Sequence, residues 1–152
     1  MANTQSFCSQ AKVDFMNGLH ALGPSVIRAG TTKDTLKAAL YLATATVNAT
    51  TTVFSATGEV TGTNYTSGGE IIITANTPTL DGTTAHFTPS ASIVYSDVTL
   101  STAFDAMLLY NDTSATKLAI SVHTFGSQTV TAGDFTLTLP VNDGTTGLVR
   151  IA

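Results

Sequence analysis

Charge is scarce in this chain. Only 11% of its 152 residues are charged, against roughly a quarter in ordinary soluble domains. Lys and Arg together number 6, stand singly, and leave a net charge of −4. Without a basic patch to neutralise phosphates, nucleic acid is not expected as a ligand, nor an anionic membrane as a docking surface. Trp is absent and aromatics make up 7%, so no stacking groove for sugars is suggested. The single cysteine, Cys8, cannot close an intramolecular disulfide, and folding is expected not to depend on an oxidising compartment. No window approaches the roughly 18 apolar residues of a membrane span. The opening Met-Ala-Asn-Thr-Gln-Ser-Phe-Cys has neither the positive nor the apolar region of an export signal. Synthesis and folding in a cytoplasm are therefore expected.

What replaces charge is mostly Thr, with Ala, Ser, Gly and Asn. Thr is β-branched and suits a pleated surface that is half wet. Such a surface is more typical of a rigid extracellular or particle-borne β protein than of a cytosolic enzyme. Apolar residues reach 43%, enough for one globular domain with a core that needs no metal or disulfide.

Periodicity gives the organisation. Phe7, Ala11, Phe15, Leu19 and Leu22 recur at spacings of four, four, four and three, which predicts a helix over 4–22. Gly18 weakens it by roughly 1 kcal/mol relative to Ala, and Gly23-Pro24 stops it. From Leu36 to Val47 the pattern favours a strand, and everything beyond reads as β. Gly58 to Gly69, with four glycines, reads as a flexible, exposed loop. Short strands are expected at 70–75, 85–88 and 92–95, and a buried central one at 104–111. Leu118, Ile120 and Val122 alternate with polar or small residues, as do Phe135, Leu137 and Leu139. Thr131-Ala132-Gly133-Asp134 should separate those two strands. Short strands with turn signals between them predict a mostly β fold: an antiparallel β-sandwich or partly closed barrel with one N-terminal α-helix. Residues 1–30 form the helix and a linker within the same unit, and 31–152 the β-sandwich domain.

No catalytic signature emerges. His20, His86 and His123 lack metal-ligand spacing, and Cys8 has no partner cysteine; neither metal nor cofactor is expected. A Gly-x-Ser-x-Gly elbow is missing, and the glycines of 58–69 are not followed by the Gly-Lys-Ser/Thr of a phosphate cradle. Cys8 reads as a structural thiol in the first turns of the helix, and His20 as a residue near its end. Most acidic residues sit at turns, where Asp bonds its own backbone. Asp105 is the exception, since it lies in the most apolar strand and needs a partner if buried. The apolar stripe of Phe7, Phe15, Leu19 and Leu22 has two readings: it covers the protein's own sheet, or it docks onto a neighbouring subunit.

Several linked segments resemble small virion proteins of tailed bacteriophages. They are Phe-Asp-Ala-Met-Leu-Leu-Tyr-Asn-Asp-Thr at 104–113, His-Thr-Phe-Gly-Ser-Gln-Thr-Val-Thr-Ala-Gly-Asp-Phe-Thr-Leu-Thr-Leu-Pro at 123–140, and the ending from Asn142 to Ala152. Upstream, 56–69 is similar to their glycine-rich loop. The resemblance implies a non-enzymatic structural role, with capsid decoration (cement) as the specific expectation. It implies the major capsid protein and copies of the chain itself as partners, a homotrimer, and a place on the capsid surface of the virion. The alternative is a tail, neck or fibre component that binds a host glycan or receptor through the 58–69 loop.

Overall fold

The computed structural model describes residues 2–16, 18–23, 33–72 and 76–152. The protein is mostly β, with antiparallel sheets and one short helix. In chain order the elements are β1 (Ser6–Phe7), α1 (Ser9–Met16), β2 (Leu36–Leu42), β3 (Glu70–Ile71), β4 (Thr79–Asp81), β5 (Thr84–Phe87), β6 (Ile93–Asn111), β7 (Ala119–Leu137) and β8 (Val149–Ile151). One sheet has the order β1-β7-β6-β2-β3 and the other β4-β5-β8. The larger sheet ends in β1 and β3, so it does not close into a barrel.

The helix expected over 4–22 is eight residues long. Its stripe starts too early because Phe7 is a strand residue: Ser6 and Phe7 pair with Val122 and Ser121 of β7. It stops early because Gly18 is a terminator. With φ at 68°, Gly18 donates its N–H to the Phe15 carbonyl while Leu19 donates to the Asp14 carbonyl. That pair of bonds is a Schellman motif, which needs a left-handed residue at its centre and favours glycine there. Cys8 accordingly lies before the helix rather than in it.

β6 and β7, 19 residues each, form one long hairpin. The segments 92–95 and 104–111, expected as two strands, are both parts of β6. Those around 118–125 and 135–139 fall largely within β7. Thr131-Ala132-Gly133-Asp134 does not end a strand. The register shifts between Val98 and Leu100 absorb the extra residue as a bulge, with Ala132 at φ 46° and its N–H donated to the Thr99 hydroxyl. The loop around Asn111 closes the hairpin. The Asn111 side-chain carbonyl accepts the N–H groups of Thr113 and Ser114, an Asx turn.

The half of the hairpin nearest this turn joins β2 in a layer buried on both faces. Leu36, Ala38, Leu40, Met107, Leu109 and Ile120 belong to one apolar cluster. Ala39, Tyr41, Ala106, Leu108, Tyr110 and Ala119 belong to the other. The far half folds back over β2. There the Tyr95 hydroxyl donates to the Ala38 carbonyl at 2.7 Å, and Phe135 meets Phe104 edge to face at 4.9 Å.

The glycine-rich stretch 58–69 is a loop, exposed from Thr61 to Asn64 as expected, and pinned at Glu59, Gly68 and Gly69. Glu59 is buried, and its carboxylate accepts from the Tyr65 hydroxyl, the Ser67 hydroxyl and the Gly68 N–H. A buried carboxylate demands such partners. Tyr110 donates to the Gly68 carbonyl, and Gly69 at φ 73° packs against the backbone of Ala38 and Ala39, where a Cβ would collide. The strand expected over 70–75 is seen at Glu70–Ile71; residues 73–75 lie outside the described residues, as do 24–30 of the expected linker.

Candidate binding groove

The four residues of the N-terminal stripe take different positions. Phe7 and Phe15 are half-buried, stack with ring centroids 6.0 Å apart, and pack on both apolar clusters. Leu22 is in the core. Leu19, just past the Schellman turn, is 47% exposed. The N-terminal segment is stitched down beside them. The Asn3 amide donates to the Leu42 carbonyl and to Asp105, and its carbonyl accepts from Val47. Asp105 thus has its partner, supplied by the N-terminus rather than by a neighbouring strand.

Next to Phe7 opens a groove of about 760 Å³. Its walls come chiefly from four parts of the chain: Gln5–Phe7, Ser121–Phe125, Leu137–Pro140 at the end of β7, and the C-terminal run from Gly144 to Ala152. Apolar side chains, among them Phe7, Phe125, Leu137 and Leu139, alternate with Ser and Thr, and among the described lining residues Arg150 is the one with a charged side chain. This size and mixture suit a binding site. Strand periodicity puts Ser121 and His123 on one side of β7, with the hydroxyl and the ring Nε2 2.8 Å apart. Burial lowers the His123 pKa from about 6.5 to about 4. The imidazole is therefore neutral at physiological pH and a weak proton acceptor, suited to holding Ser121 rather than to activating it.

A second polar cluster ties the end of the N-terminal segment to β6. The Asx turn aims the Asn111 amide at the Leu19 carbonyl (3.1 Å), the Asp34 carboxylate (2.7 Å) and His20 Nδ1 (3.2 Å). Asp34 also accepts the Ala21 N–H at 2.7 Å. His20 does not cap the helix. It is buried beyond it, tilted against Phe15 at 4.8 Å. Its Nε2 lies 3.9 Å from Asp14 Oδ2, and neither atom has a hydrogen bond. Desolvation lowers the His20 pKa against the opposing pull of Asp14 and Asp34.

Cys8 is fully buried, and burial pushes its pKa up to about 11, so the thiolate needed for chemistry is suppressed. Among the described residues no group of three His, Cys, Asp or Glu is placed to hold a metal ion, and no helix is long and apolar enough to cross a membrane. Sequence reading missed the groove, Glu59 and the Asp34–Asn111 latch, because each joins residues far apart in the chain. The local signal that was available is polar: Glu59 and Asn111 interrupt otherwise apolar or glycine-rich stretches. No protein-family model, curated protein or solved structure matches the chain.

Proposed function

We propose that this chain is a structural protein of a tailed-phage virion, and within that class a capsid decoration protein that binds the outside of the shell and copies of itself. In this reading the folded-back hairpin and the two sheets form a β-sandwich, and a homotrimer bridges adjoining capsomers beside the major capsid protein. The observation that supports it is one of placement. The segments that resemble virion proteins, 123–140 and 142–152, supply most of the groove's wall. The likeness and the groove thus coincide.

The mechanism is mechanical. A subunit spanning a joint between capsomers adds binding free energy that must be lost before the joint opens, and many weak copies at symmetric sites sum their effect. A surface of Thr and Ser, with few Lys and Glu, loses less side-chain entropy on contact. Native mass measurement of the full chain with and without purified capsids of the encoding phage tests the proposal. Saturable mass gain in regular stoichiometry is expected; a monomer that adds no mass to capsids contradicts it.

The second reading, a tail, neck or fibre component that binds a host glycan or receptor, draws on the 58–69 loop. Its exposed run from Thr61 to Asn64 is held by the backbone pair of Thr63 with Thr99 and by the Asn64 amide donating to the Asp97 carbonyl, and a fixed polar loop is a good recognition element. Electron microscopy of labelled particles separates the two by position.

A further inference from the structure

We infer that the groove takes an extended peptide segment of another protein, added as a strand beside β7 in the lane that β1 leaves empty. The inference rests on the reading that this chain works by holding other proteins, and it names where and how.

Main-chain geometry carries it. Cys8 donates its N–H to the Ile120 carbonyl, and Ser6 faces Val122. In an antiparallel ladder the residues that bond to one neighbour alternate. Ile120 and Val122 therefore turn their main-chain groups toward β1, and so does Thr124, the next in that series. The residue that would meet Thr124 is Thr4, but Thr4 donates to the Val47 carbonyl instead, so β1 departs at Gln5. Among the described residues no strand pairs with this side of β7 beyond Val122. The free lane is short: the register slips by two residues between Thr124 and Gln128, and the Gly126 carbonyl is taken by the Gln128 side chain. Among the described residues one main-chain rung, at Thr124, stands open, while the Thr124 hydroxyl donates to the Gln5 side chain at 3.3 Å.

Only an extended backbone presents an N–H and a carbonyl spaced to close that rung. Side chains on either side of the bonded residue fall on the opposite face from it. That is the face of Ser121, His123 and Phe7, where the groove lies. The occupant that fits is a polar residue flanked by two apolar ones, the apolar pair dropping in beside Phe7 and Phe125. Arg150, the one charged side chain among the described lining residues, makes a neutral or acidic segment the favoured partner over a basic one. A single rung gives weak binding, as suits a contact repeated over many copies.

The test uses the full chain in solution, without capsids, and the blocked peptide acetyl-Thr-Leu-Thr-Leu-Thr-amide. Titration is followed through the backbone amide resonances. Shifts centred on 123–125 are expected, with affinity weakened about tenfold when the central Thr of the peptide is N-methylated, since that removes one rung bond and crowds the lane. No shift at these amides at millimolar peptide overturns the inference, as does equal binding of the N-methylated peptide. If the same amides move with protein concentration alone, the occupant is a second copy and the assignment to another protein fails. Peptide binding without capsid binding would remove the virion reading and leave the groove; capsid binding without peptide binding would do the reverse.

Discussion

The two sheets are built from similar residues and differ in what covers them. In the five-stranded sheet β2 and the adjoining half of β6 are buried on both faces. The three-stranded sheet is buried mainly at one end, His86 on one face and Phe87 with Val149 on the other. Phe87 and Val149 face each other in the core, while Leu80, Ala85 and Ile151, aligned across all three strands, continue that face into solvent, with Leu80 70% exposed. The first arrangement gives stability and the second leaves surface. Covered and exposed sheet faces thus sit in one small domain, and substitutions should separate them.

The largest effect belongs to the covered sheet. Leu109→Ala, at a site with no solvent exposure, should cost about 2–5 kcal/mol, read as a lowered urea midpoint. Glu59→Ala comes next. It leaves the Tyr65, Ser67 and Gly68 donors without their shared acceptor and should cost about 1–3 kcal/mol. Amide exchange should quicken at 65–69 before it does in β2 or β6, because three donors of that segment share the Glu59 carboxylate.

A pH titration gives a slope rather than a step. Burial lowers both His20 and His123 below the usual value of about 6.5, His123 to about 4. The unfolded chain therefore binds more protons than the folded one in that interval. Stability is full above about pH 6.5 and falls as the pH drops toward about 4. His123→Gln should flatten the slope, measured as the urea midpoint across this range; an unchanged slope would assign the loss to His20 and the carboxylates. The smallest effect belongs to the exposed face. Leu80→Ala should shift stability by no more than about 0.5 kcal/mol, and a loss as large as that of Leu109→Ala would erase the contrast between the sheets.

Local pattern and long-range contact account for what was legible in the sequence. The alternation of Leu118, Ile120 and Val122, and the apolar run from Ala106 to Tyr110, each report one strand's surroundings, and each was placed correctly in a β element. The overlong helix came from taking a spacing of four at face value. Phe7 and Phe15 do share an apolar site, but β1 pairing, not a helix, brings Phe7 there. Thr131 to Asp134 looked like a turn because bulges and turns use the same residues; only the partner strand decides which forms. The polar interruptions at Glu59 and Asn111 are visible locally, but their partners are not, since Asp34 meets Asn111 across 77 positions of sequence. The groove was invisible for the same reason, since its walls come from opposite ends of the chain.

Hydrogen exchange of the full chain, free and bound to purified capsids, tests most directly whether function resides at the groove. Binding should slow exchange at 121–125 and 137–148 and leave β2 and the 104–111 half of β6 as they were. Protection confined to other surfaces, with the groove segments unchanged on the particle, would contradict the account.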